Sequence, residues 1–218
     1  EFLSKKRNCL MRIDMERYNL NVGNFLGIPL IFHWSFLLMF LLLLIVNITL
    51  VPLFAALYFI VILHEFGHSY AALKLNCIVE NVTMYPFGGV ASIYRIRTSR
   101  DELLVTLAGP AVNLALIPVL WNFATENSFL EKLAFANNVL FIFNLIPAFP
   151  LDGGRIFRSI LVMLTGKYYL STKIAVYFGY FFAIFFLTIG ILSYNVFFIA
   201  AAFVVFINAR EEMKNFKD

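Results

Sequence analysis

The sequence predicts an all-α polytopic membrane protein, with six transmembrane helices and a small β-strand insertion between the second and third spans. Three observations predict it. Of the 218 residues, 61% are hydrophobic, 17% are aromatic and only 14% are charged, whereas soluble domains run near 45–50% apolar and about a quarter charged. The apolar residues gather into six runs close to the roughly 20 residues that a helix needs to cross a bilayer. The net charge is +4, and its distribution follows the pattern of cytoplasmic membrane loops. This composition excludes a water-soluble enzyme, a nucleic-acid partner and a disordered chain. The two cysteines, Cys9 and Cys77, are too few for a disulfide framework.

Residues 1–27 read as a cytoplasmic basic leader carrying Lys5, Lys6, Arg7, Arg12 and Arg17. They are not a signal peptide, because the apolar run that follows is far longer than a signal core. The six-span core covers 28–209, with spans at about 28–50, 52–74, 103–124, 130–165, 170–191 and 193–209. Pro52 marks the turn between the first two spans, and prolines and glycines at 147–154 break the fourth. Residues 210–218 form a cytoplasmic tail. From Cys77 to Arg97, alternating β-branched residues surround Pro86 and Gly88-Gly89, which reads as two or more short strands.

Six spans collect 16 of the 17 basic residues on one side of the membrane and leave only Lys132 on the other. By the positive-inside rule, the crowded side is cytoplasmic, and it holds both termini. Five or seven spans would scatter these charges over both faces.

Acidic residues inside a span are costly and mark function by default. Eleven of the 13 fall in the leader, loops or tail, and the exceptions are Glu65 and Asp152. Glu65 lies in His64-Glu65-Phe66-Gly67-His68. Side chains four apart share a helix face, so His64 and His68 reach one cation, and imidazoles at this spacing suit zinc. Glu65 stands beside them to take a proton from water at the metal. Catalytic zinc takes three protein ligands, and elimination points to Asp152 for the third. The remaining histidine, His33, sits beside Trp34 and reads as interfacial. A dication with two neutral imidazoles in a low dielectric needs two negative charges nearby, and Asp152 with Glu65 supplies both. Counting residues to the basic ends of their spans places both sources in the cytoplasmic half of the membrane. Asn144 has two readings: a hydrogen bond to substrate backbone or a developing oxyanion, or a bond between helices.

These residues resemble the site-2 protease family of intramembrane zinc metalloproteases. The resemblance rests on His64-Glu65-Phe66-Gly67-His68, on Pro86-Phe87-Gly88-Gly89, and on Ala108-Gly109-Pro110-Ala111-Val112-Asn113. It continues through Asn144-Leu145-Ile146-Pro147 and Leu151-Asp152-Gly153-Gly154-Arg155. It implies one Zn2+ per chain held by His64, His68 and Asp152, with Glu65 as general base, and Asn144 and Asn113 near the substrate. It also implies transmembrane or membrane-anchored protein substrates within the lipid bilayer, often cut to release cytoplasmic fragments. Two rival readings are a different intramembrane zinc protease, such as one acting on prenylated tails, and a non-catalytic membrane binder or metal transporter. A transporter would spread its ligands along a path, and a silent relative would have lost Glu65 or a ligand.

Overall fold

The computed structural model describes residues 19–86, 88–126 and 128–214, and the chain divides after Arg95 into two compact units. Cys9 and the basic residues of the leader lie outside the described residues.

The first unit opens with β1 (Leu20–Phe25) and β2 (Ile28–Phe32), an antiparallel pair. Its two-residue turn, Leu26-Gly27, has positive φ at both positions, 54° and 80°, the geometry that matches strand twist in tight hairpins. Then come α1 (Trp34–Val46), a short 3-10 turn, and α2 (Val51–Lys74), with Pro52 in the first turn of α2. The unit closes with the hairpin β3 (Ile78–Tyr85) and β4 (Gly88–Tyr94). The sheet order is β1-β2-β3-β4, and β2 runs parallel to β3. Parallel neighbours need a long crossover, which α1 and α2 supply.

Here the structure corrects the expected first span. Residues 28–50 are not one helix, and the sheet is not confined to the segment between the second and third runs. Ile28 and Leu30 alternate with more exposed residues and are buried in the sheet, and Pro29 suits a short strand better than a helix interior. A short apolar run carries no periodicity that separates strand from helix. The helix left over, α1, has 13 residues, about 20 Å at 1.5 Å per residue against a hydrocarbon core of about 30 Å. His33 caps it: Nδ1 accepts from the Ser35 N–H at 3.3 Å and lies 2.6 Å from Ser35 Oγ.

The second unit is helical among its described residues: α3 (Ser99–Phe123), α4 (Phe129–Asn144), α5 (Asp152–Thr165), α6 (Tyr168–Leu192) and α7 (Val196–Lys214). Thr98 and Asp101 form a reciprocal capping box at the start of α3. The broken fourth run appears as two helices, α4 and α5, with the break at residues 145–151. Helices α6 and α7 approach closely through small residues. A methyl group at Gly179 would lie 3.2 Å from Ala209 Cβ, and one at Gly190 would lie 2.7 Å from Ile199 Cγ1. Close backbone approach of this kind holds helices together where lipid removes the hydrophobic drive. The described helical segments long and apolar enough to cross a membrane are Ile48–Lys74, Ser99–Phe123 and Tyr168–Leu192.

A second correction concerns charge. Glu102, one of the eleven acids expected outside the spans, is only 8% exposed, and Arg158, counted among the basic residues of the cytoplasmic side, is 6% exposed. Arg158 pairs with Glu102 of α3 and Glu212 of α7, and Ser159 Oγ donates to Glu102 at 3.0 Å. The partners come from three helices far apart in sequence, so no local pattern announces the cluster. Replacing one member of a buried ion pair strands the other, at about 3–5 kcal/mol. Arg158→Leu is therefore expected to lower thermal stability in detergent by roughly that amount, and a midpoint unchanged from wild type would show the pair to be dispensable.

Candidate metal centre

Helix α2 brings His64, Glu65 and His68 together. All three are buried, at 4%, 8% and 5% exposure. The histidines are one turn apart, their rings nearly perpendicular at 84°, and their Nε2 atoms lie 3.1 Å from each other. Two nitrogens bound to one tetrahedral zinc at about 2.0–2.1 Å stand about 3.3–3.4 Å apart, so the pair already has close to the required spacing. Neutral imidazoles protonated on Nδ1 would turn both Nε2 lone pairs toward the same point. The donor set therefore fits a zinc ion.

Glu65 follows His64 by one residue, about 100° around the helix, and its carboxylate faces the sheet. Oε2 accepts a hydrogen bond from the Ala91 N–H of β4 at 3.1 Å. Two turns earlier on α2, the Tyr58 hydroxyl donates to the backbone carbonyls of Tyr85, at 3.2 Å, and Pro86. The β3–β4 hairpin is thus tied to α2 at two points. Tyr58 and Ala91 carried no sequence signal of this role, because each acts through a contact with a distant segment.

In the second unit, Asp152 is the first residue of α5. The local fold explains the glycines that follow it. A methyl group at Gly153 would overlap the backbone of Leu145 and Ile146, and one at Gly154 would lie 2.8 Å from the Ala148 and Phe149 backbone. The 145–151 loop therefore lies directly against the first turn of α5, and only glycine permits that approach. The Leu151 N–H donates to the Ala148 carbonyl at 2.9 Å, and the Gly154 N–H to the Leu151 carbonyl at 3.0 Å. The loop's irregular backbone makes its own bonds, and the position of Asp152 is defined.

Asn144 is the half-buried last residue of α4. Asn113 is fully buried: its Nδ2 donates to Asn137 Oδ1 at 2.9 Å, and Asn137 Nδ2 returns a bond to the Asn113 carbonyl at 3.1 Å. This reciprocal pair joins α3 to α4. Asn137 carried no sequence signal of this pairing, since an Asn137-Asn138 step in an apolar run does not show which amide meets a distant helix.

Comparison with known proteins agrees with this geometry. The family model for peptidase family M50 matches residues 52–126 and 121–187, and the chain belongs to that family. A zinc metalloprotease of Methanocaldococcus jannaschii is 36% identical over 209 residues, covering 90% of this chain and 61% of that protein. A putative zinc metalloprotease of Synechocystis is 38% identical over 128 residues, covering 55% of this chain and 33% of that one. The chain thus spans about three-fifths of the first relative and one-third of the second. The solved site-2 protease from Methanocaldococcus jannaschii superposes with a TM-score of 0.69 at 38% identity, covering 90% of this chain and 95% of that chain. With its long apolar helices, the chain is an integral membrane protein.

The purified protein is expected to hold about one zinc per chain by elemental analysis. The His64→Ala, His68→Ala double variant should retain less than about a tenth of it, and full retention would remove the site from α2.

Proposed function

We propose that this chain is an intramembrane zinc metalloprotease. It hydrolyses peptide bonds within or near the transmembrane segments of membrane-anchored proteins and releases fragments to the cytoplasm. The observation that carries this reading is the convergence of the buried His64 and His68 Nε2 atoms on an apolar helix, with the adjacent Glu65 carboxylate held by the Ala91 N–H. Membership of a peptidase family supports it, and so do the relatives, which bear zinc metalloprotease names.

In this reading Asp152 completes the ligand set. Two neutral imidazoles leave a dication's charge uncompensated, and a carboxylate ligand together with Glu65 neutralises it where water cannot. The glycine-packed start of α5 supports that role, since a ligand needs a fixed backbone. Zinc bound there supplies Lewis acidity and brings the pKa of a water toward about 7. Glu65 takes the proton from the attacking water and delivers it to the leaving amine. Asn144 donates to the substrate backbone or the oxyanion from the end of α4, while the amide of Asn113 keeps α4 against α3. A substrate helix must unwind locally before its carbonyl is accessible, because an intact helix uses every such carbonyl internally.

The same reading keeps six crossings with both termini cytoplasmic. The partition of 16 basic residues against one supports it; α1 is shorter than the hydrocarbon core, but its exposed apolar side chains, such as Leu41, Leu42 and Ile45, suit lipid. The broken pair α4 and α5 serves as one interrupted span, an arrangement tolerated where protein or a wet cavity adjoins the break.

Two substitutions separate chemistry from metal binding. Glu65→Gln keeps the side chain's shape but cannot accept the proton, so zinc should stay bound while cleavage of a transmembrane substrate falls by at least about 10²-fold. Asp152→Asn removes a negative ligand and should lower zinc occupancy instead. Wild-type cleavage by Glu65→Gln would end the proposal.

A further inference from the structure

Strand β4 surrounds the Glu65 side chain in two ways. The Ala91 N–H donates to Oε2 at 3.1 Å. Gly89 lies against the rest of the side chain: a methyl group there would overlap Cγ and stand 3.0 Å from Cδ and 3.1 Å from Oε1. One position of β4 thus supplies room, and the position two residues on supplies a backbone donor. The neighbouring Gly88 has a separate reason to be glycine, since its φ is +146° and a methyl group there would meet nothing within 4 Å. The register pairs Tyr85 with Gly88 and Met84 with Gly89. Tyr58, which holds the Tyr85 and Pro86 carbonyls, therefore sets where β4 begins relative to α2.

We propose that β4 is the positioning element for the general base. The side-chain-free surface of Gly89 and the backbone N–H of Ala91 hold the Glu65 carboxylate in one orientation, with Tyr58 locking the hairpin to the helix. The proposal rests on Glu65 being the base. A free Glu side chain has several torsions and loses rotamer entropy when fixed. A base is effective only within hydrogen-bond reach of the proton it takes, and a 1 Å misplacement can cost about 10²-fold. Prior packing against β4 removes that search before substrate arrives. Gly89 is thus a positioning residue, acting through what its missing side chain permits.

A double-mutant cycle on the metal-free protein in detergent tests the contact without any activity. Gly89→Ala should lower the melting midpoint by at least about 3 °C in the wild-type background. That shift should fall below about 1 °C in the Glu65→Ala background, where Cγ is gone. Equal shifts in both backgrounds, or no shift in either, would overturn the contact. If Gly89→Ala alone does not fold, the double variant must fold, and failure of both overturns the proposal. In the zinc-loaded enzyme, Gly89→Ala should retain its metal and a KM within about threefold of wild type, while kcat falls at least about tenfold. An unchanged kcat overturns the positioning role. The Glu65→Gln measurement reads the base assignment separately, so failure of β4 positioning is distinct from failure of the protease reading.

Discussion

A buried polar helix face that has to be compensated from outside its own helix is the constraint on which the first unit depends. Helix α2 carries two imidazoles and a carboxylate among apolar neighbours, and each would cost several kcal/mol in a low dielectric without partners. Within α2 the partnering is incomplete, because the helix uses its own backbone donors internally. The sheet provides a donor from a strand. Ala91 gives an N–H to Glu65, and the hairpin is fastened in return by the Tyr58 hydroxyl. A membrane helix bearing a buried carboxylate is thus met by a small β structure, because strand backbone has donors to give.

The second unit meets the same constraint with different means. Its buried arginine, Arg158, is answered by two carboxylates from α3 and α7 and lies 5.3 Å from the ring centres of both Phe149 and Tyr168. A guanidinium suits such a site, since its planar fork serves two carboxylates while its faces meet aromatic rings. This cluster lies on the helix that begins with Asp152. The same helix is packed at its start by a loop that only glycines allow so close. Ion pairing along α5 and backbone packing at its tip together fix the start of the helix that carries Asp152.

Much of the candidate site was legible in the sequence, because its chemistry is local. His64 and His68 are one turn apart on any helix, and their convergence follows from helical spacing alone. Asp152 stood out by being an acid beside two prolines and two glycines in an apolar run. The long helices α2, α3 and α6 were legible for the same reason, since their length exceeds what a strand uses. Legibility failed where a partner was distant. Ile28–Phe32 became a strand because β3 lies ready to pair with it, and Glu102 became buried because Arg158 reaches it from 56 residues away.

The sequence by itself determined that this chain lives in a membrane, that one helix carries two histidines one turn apart with an adjacent acid, and that the apolar path breaks just before Asp152. Each of these follows from composition, helical period or backbone chemistry over a few residues. Only the tertiary structure decided which way the Glu65 carboxylate is held, why Gly89 has no side chain, and that Asn113 is occupied by Asn137. It also decided that the first apolar run opens as a strand. These outcomes depend on which segments meet, and a backbone amide or an absent methyl group leaves no mark in the sequence until its partner is beside it.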